Sequence, residues 1–259
     1  KKEEEKQGYQ FTELKRLPAT SVKSQDRAGT CWSWSTISFL ESEMMRLGKD
    51  SVSLAPMYIV WNTYNEKADK YVRMHGCMNF AQGGASADVN WAIKNYGIVP
   101  LEIYSGLNYG ENIHAHAELD GVLGAYLKVI VSNPNKKLST AWKKGFDGIL
   151  DAYLGAKPEK FTFRGKEYTP MSFYQSTGLN MDDYISLTSF THHPFYTKFA
   201  LEVPDNWIGE ESYNLPLDEL MEVLDKAIDN GYTFSWGSDV SEIGFLRDGI
   251  AIVPDMENT

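Results

Sequence analysis

The sequence predicts an α+β fold, on three observations. Residues 31–100 carry apolar side chains at helical spacing, punctuated by Gly and Pro stops. Residues 201–259 contain short alternating stretches of strand type beside one strongly marked helix. Residues 101–200 mix both patterns with Gly/Asn turns. A chain of 259 residues suits one large domain or two small ones.

The elements follow in order. From Cys31 to Leu47, Trp34, Ile37, Leu40, Met44, Met45 and Leu47 recur near helical spacing, and Gly48 stops the run. Ser53 and Pro56 open a second helix carrying Met57, Tyr58, Val60 and Trp61. Ser86 is placed to cap a third, "ADVNWAIKNYG", which ends at Gly97 with Pro100 beyond. The middle holds the turns "SGLNYGEN" and "SNPNKK", a helix around "STAWKKGFDGILDAYLG", and a short strand pair around "KFTFRGKEYTP". "FYTKFALEV" reads as a strand. "NLPLDELMEVLDKAIDNG" reads as a helix with Pro216 at an early position, an acidic first turn and Gly231 at its end. "YTFSWGSDV" and "GIAIV" read as two further strands. There is no repeat and no low-complexity tract.

Composition narrows the function classes. The formal net charge is −10 and the sequence pI about 5.0, with no clustered Lys/Arg stripe, which argues against a general nucleic-acid surface. No apolar run approaches the roughly 20 residues of a membrane span. The opening "KKEEEK" is polar and mixed in sign, as a frayed terminus is. The sequence shows no signal peptide and no initiator Met, so a processed or trimmed product is expected, from which a leader could have been removed. Two cysteines cannot build a disulfide framework; this favours a reducing, cytoplasmic setting, with export after leader removal as the alternative.

One of those cysteines, Cys31, sits where a loop turns into a helix. The thiolate is the nucleophilic form of cysteine, and the unpaired N–H groups of a helix N-terminus favour negative charge. Free cysteines are also among the most buried residues, so position alone does not make Cys31 a nucleophile. Its neighbours strengthen the chemical reading. Gln25 lies six positions upstream, Gly29 two before, and Trp32 directly after. An attacking thiolate needs donors aimed at the oxyanion that forms next, and a loop glutamine with the Cys31 backbone N–H can supply two.

At these residues the sequence resembles the papain-like (family C1) cysteine peptidases. Their Gln-x-x-Cys-Gly-Ser-Cys-Trp-x-Phe-Ser signature is similar to Gln25-Asp26-Arg27-Ala28-Gly29-Thr30-Cys31-Trp32-Ser33-Trp34-Ser35. The family's Cys-x-Gly-Gly before a helix is similar to Ala81-Gln82-Gly83-Gly84. The resemblance implies that Cys31 is the nucleophile, Gln25 the oxyanion donor, and Gly83 and Gly84 backbone binders of substrate beside Trp32. Glycine fits there because a side chain would block close approach. Where the family pairs two cysteines, this chain has Ala28 and Ala81, which points to the disulfide-free bleomycin hydrolase and aminopeptidase C group. That group implies a papain-like fold: an arm and oxyanion-hole loop over 1–30, a helical half over 31–100, a long mixed insertion over 101–200, and an antiparallel β half beginning at 201. It implies peptide substrates, aminopeptidase action, a homo-hexamer, and no cofactor, metal, membrane or nucleic acid.

A thiol peptidase also needs a histidine base and a group to orient it. The five histidines are His75, His114, His116, His192 and His193. The family's His-Ala-Val and Asn-Ser-Trp-Gly segments have no counterpart, so the β half is expected to be incomplete and the catalytic His and Asn to follow Thr259. The alternative is a non-catalytic papain-like protein that binds peptides or serves in an assembly. His192, His193 and Asn206-Trp207 imitate the family's separation, but Pro194 follows the histidines directly and the expected strand comes after them, so they read as insertion structure. His114 and His116 lack a third ligand nearby and read as a surface loop. His75 with Cys77 reads as structural, and Asp182-Asp183 as a turn or cap.

Overall fold

The computed structural model describes residues 10–245 and 249–252. Helix α1 spans Cys31–Arg46, α2 Pro56–Arg73 and α3 Ser86–Tyr96, the three positions the sequence predicts. Pro56 occupies the first turn of α2, where its missing N–H costs nothing. Helix α3 is capped differently from expectation. Ala85 takes the N-cap position, and the Asp88 carboxylate accepts the Ala85 N–H at 2.9 Å. The positive φ of 74° at Gly97 turns the chain out of the helix against the Pro170 backbone, and a β-carbon there would lie 2.3 Å from the Pro170 carbonyl carbon.

Two helices fill the middle: α4, Ala117–Val131, which the sequence reading lacked, and α5, Trp142–Leu154. Leu119, Leu123 and Leu127 share one face of α4, and Phe146, Leu150 and Leu154 one face of α5. These six join Leu40, Met57, Ile59, Val89 and Ile93 in a single core around α2, which packs against α1, α3, α4 and α5. Full burial of one such side chain contributes about 2 kcal/mol.

The hairpin β1 (Phe161–Phe163) and β2 (Lys166–Tyr168) forms as predicted, its Phe161 and Phe163 rings against Phe173 of α6 (Pro170–Ser176). Asp182 and Asp183 lie in a 3₁₀ turn, Met181–Asp183, capped by Asn180. A second sheet orders β3 (Leu187–Thr188), β5 (Glu211–Asn214) and β4 (Lys198–Ala200), with β5 central. It is mixed: β3 pairs parallel to β5, and β4 antiparallel.

The last segments depart furthest from expectation. "FYTKFALEV" keeps only Lys198–Ala200 as strand. Helix α7 begins at Leu217, with Pro216 at its N-cap, and runs to Asp229. "YTFSWGSDV" forms no strand, because no described strand lies beside it to complete a ladder. Its Ser235 hydroxyl instead meets Thr36 at 3.2 Å and Ser86 at 3.0 Å. "GIAIV" contributes one bridge, Ala251 to Phe245; its Val253 lies outside the described residues. Among the described residues, no helix is long and apolar enough to cross a membrane.

Candidate active site

Helix α1 starts at Cys31 itself. Thr30 caps it through backbone alone, its carbonyl accepting from Ser33 N–H at 2.9 Å and Trp34 N–H at 3.3 Å. No acidic residue occupies the first turn, and no described acceptor meets the Cys31 or Trp32 backbone N–H. That end of the helix is open to an anion. The Cys31 side chain is exposed and free, and no described residue hydrogen-bonds its thiol.

Gln82 ties this helix start to the Gly-Gly loop. Its side-chain carbonyl accepts the Gly29 N–H at 2.7 Å, and its backbone carbonyl accepts the Trp32 indole N–H at 3.0 Å. Trp32, 5% exposed, lies under Gly84. A β-carbon on Gly84 would approach the indole to 2.8 Å and Asp88 Oδ2 to 2.7 Å, so only glycine fits. A β-carbon on Gly83 would lie 2.4 Å from both carboxylate oxygens of Asp205.

Beneath the loop stands Lys67 of α2, fully buried. Its ammonium donates to the carbonyls of Ala81 and Gly83, each at 2.8 Å. Burial pushes its pKa down, with Asp88 and then Asp205 opposing the shift. Burial likewise pushes Asp88 up to about 6, against the Ala85 N–H and Lys67. Sequence reasoning missed Lys67, Gln82 and Asp205. The polar Gln82 directly before the glycine pair was the available signal; Lys67 reads in sequence as one more polar position on a helix.

The predicted residues therefore divide. Trp32, next to Cys31, is tied through Gln82 to the loop of Gly83 and Gly84 and packs under Gly84. Gln25 is half-buried in the turn before them, its carbonyl accepting the Ala28 N–H at 3.2 Å, and its side chain has no described hydrogen bond. The next residue, Asp26, holds a positive φ of 54° and accepts the His114 backbone N–H at 3.0 Å, which lowers its pKa.

The histidines stand elsewhere. His114 and His116 are buried, not on a surface loop, because the loop before α4 folds back onto Arg27 and under Trp34. His114 Nδ1 and both ring nitrogens of His116 lack hydrogen-bond partners. Burial pushes His114 below the ordinary imidazole value, and burial with the neighbouring His114 pushes His116 down to about 4. His75 follows the end of α2 at a positive φ of 54°, near the exposed Cys77. His192 and His193 contact Glu202. Asn206 spends its side chain on its own turn, and the buried Trp207 packs edge-on against Trp91 at 5.7 Å.

A family model described as the Peptidase C1-like family matches residues 1–254. Aminopeptidase C of Streptococcus thermophilus is 23% identical over 90% of this chain and 62% of its own length. Aminopeptidase G of Lactobacillus delbrueckii subsp. lactis is 24% identical over 86% and 60%. Among solved structures, PepW from Lactobacillus rhamnosis superposes with a TM-score of 0.65 at 22% identity, over 83% of this chain and 58% of that one. The papain-like α+β fold is thereby shown, and the chain spans about three-fifths of the length of the curated relatives it matches.

Proposed function

This chain belongs to the Peptidase C1-like family, and from that premise we propose that it carries the nucleophile of a thiol peptidase acting on the N-terminal residues of short peptides. The observation that carries the reading is the placement of an exposed, unpaired Cys31 at an open helix N-terminus, its neighbours Gly29 and Trp32 tied through Gln82 to the loop that carries Gly83 and Gly84. In this reading the Cys31 thiolate attacks the scissile carbonyl. The negative charge moves to the carbonyl oxygen, where the Cys31 backbone N–H and the Gln25 amide donate to it. Collapse expels the amine, which takes the proton that the histidine base had removed from the thiol, and leaves a thioester on Cys31; water then hydrolyses it, releasing the acid and restoring the thiol. Gly83 and Gly84 offer backbone groups to the extended peptide over Trp32. Gln82 and Lys67 act at one remove, fixing the loop those glycines form.

None of the five histidines hydrogen-bonds the thiol, so the base in this reading is a histidine other than these five. The same observation supports the second reading, a papain-like protein that binds peptides without cleaving them. The aminopeptidase names of the two relatives support action at a free N-terminus. Rates on N-terminally free and blocked peptides, measured with the complete protein, test it. Cleavage of free peptides at least about tenfold faster is expected. Equal or faster cleavage of blocked peptides would make it an endopeptidase, and binding without turnover would favour the second reading.

A further inference from the structure

Far from Cys31 in sequence, the loop before β4 and the segment just after it gather two imidazoles and a carboxylate at one point. His192 Nε2 lies 3.2 Å from Glu202 Oε2, and His193 Nε2 lies 2.8 Å from Glu202 Oε1. The three ligand atoms all fall within 4.8 Å of one another, and no other group of three or more such side chains does so among the described residues.

The buried Phe199 and Asn214 and the exposed Phe190 flank this arrangement. The His193 ring stacks on Phe199 of β4 with centroids 3.9 Å apart and planes at 24°. His192 sits edge-on to the same ring at 5.7 Å and to Phe190 at 5.5 Å. The fully buried Asn214 of β5 fastens the loop backbone: it accepts the Phe190 N–H at 2.8 Å and donates to the carbonyls of Phe190, His193 and Pro194 at 2.9, 3.1 and 3.3 Å. A segment carrying two adjacent histidines is thus ordered before any ligand arrives, with Glu202 two residues beyond the end of β4.

We infer that His192, His193 and Glu202 form a binding site for a divalent first-row transition metal, zinc in the first instance. A tetrahedral zinc bound at about 2.0–2.2 Å has ligand atoms about 3.3–3.5 Å apart. The His–Glu separations of 3.2 and 2.8 Å, each to a different oxygen of the Glu202 carboxylate, would open by about 0.1–0.7 Å to accept it. Two neutral imidazoles with one carboxylate suit zinc, nickel or copper, while magnesium and calcium prefer oxygen ligands. The three side chains leave a fourth position for water or another donor. The ion would clip the loop before β4 to the segment after it, independently of the chemistry at Cys31.

Calorimetric titration of zinc chloride into the whole chain tests the site, in a Cys31→Ser/Cys77→Ser background that removes both exposed thiols as competing ligands. One zinc per chain is expected, with affinity at least about tenfold weaker in Glu202→Gln and binding lost in His192→Ala/His193→Ala. Long-range ¹H–¹⁵N spectra of the zinc-loaded, unsubstituted chain give a readout that does not depend on those variants folding. The ring nitrogens of His192 and His193 should shift, and those of His114 and His116 should not. Absence of one-to-one binding, or saturation with both ring signals unmoved, would overturn the assignment.

Discussion

Asp88 and His116 are buried groups with pKa values displaced in opposite directions, up to about 6 and down to about 4. Their effects on stability oppose. Asp88 has a raised folded pKa, so its contribution is complete below its unfolded value and is lost as pH rises through about 6. His116 has a depressed folded pKa, so its contribution is complete above its unfolded value and is lost as pH falls through about 4. Each shift corresponds to something on the order of 3 kcal/mol. Between pH 4 and 6.5 the two cancel in the unsubstituted chain. Removing one should expose the other. Relative to the unsubstituted chain, Asp88→Asn should gain stability as pH rises from 4 to 6.5, and His116→Leu should lose it, each by on the order of 3 kcal/mol. Urea unfolding at the two pH values reads both, and slopes of the same sign would contradict the assignment. His116→Leu also relieves two unpartnered ring nitrogens, so it should be tolerated at pH 7.

Among the elements, the joint between α1 and the loop before α3 stands where the family sets a disulfide and this chain has Ala28 and Ala81. Here a hydrogen bond does the joining, from Gly29 N–H to the Gln82 side chain, one residue beyond each alanine. Ala28→Cys/Ala81→Cys should therefore close a disulfide under mild oxidation and raise stability by about 2–4 kcal/mol. Peptide mapping and melts with and without reductant check this, and thiols that stay free would show that the two strands of chain run further apart. The same joint shows what was legible in the sequence. Helices α1 to α3 were readable because Gly48, Pro56 and Gly97 mark their ends and their apolar spacing is regular. Helix α4 was not: its N-cap, His116, offers no side-chain hydrogen bond, and Gly121 and Gly124 interrupt it. "YTFSWGSDV" has strand alternation, but a strand also needs a neighbour, which no local pattern encodes. Cys31 and the glycine pair declare themselves by residue type and spacing. Lys67 and Asp205 join the site only through tertiary packing.

For the molecule as a whole, the helical core is buried, while Tyr232, Phe234, Trp236, Val240, Ile243, Phe245 and Ile252 stand exposed along its last described segment. Both cysteines are likewise open to solvent. Access alone cannot distinguish them. Position does: Cys31 is the first residue of α1, while Cys77 follows the C-terminal end of α2, where the helix favours positive charge. The central claim, that Cys31 is built as a nucleophile, is tested most directly by the rate of iodoacetamide modification at each cysteine of the complete, folded protein, read by peptide mass at neutral pH. Cys31 should react at least about tenfold faster than Cys77; equal rates, or faster modification of Cys77, would contradict the account.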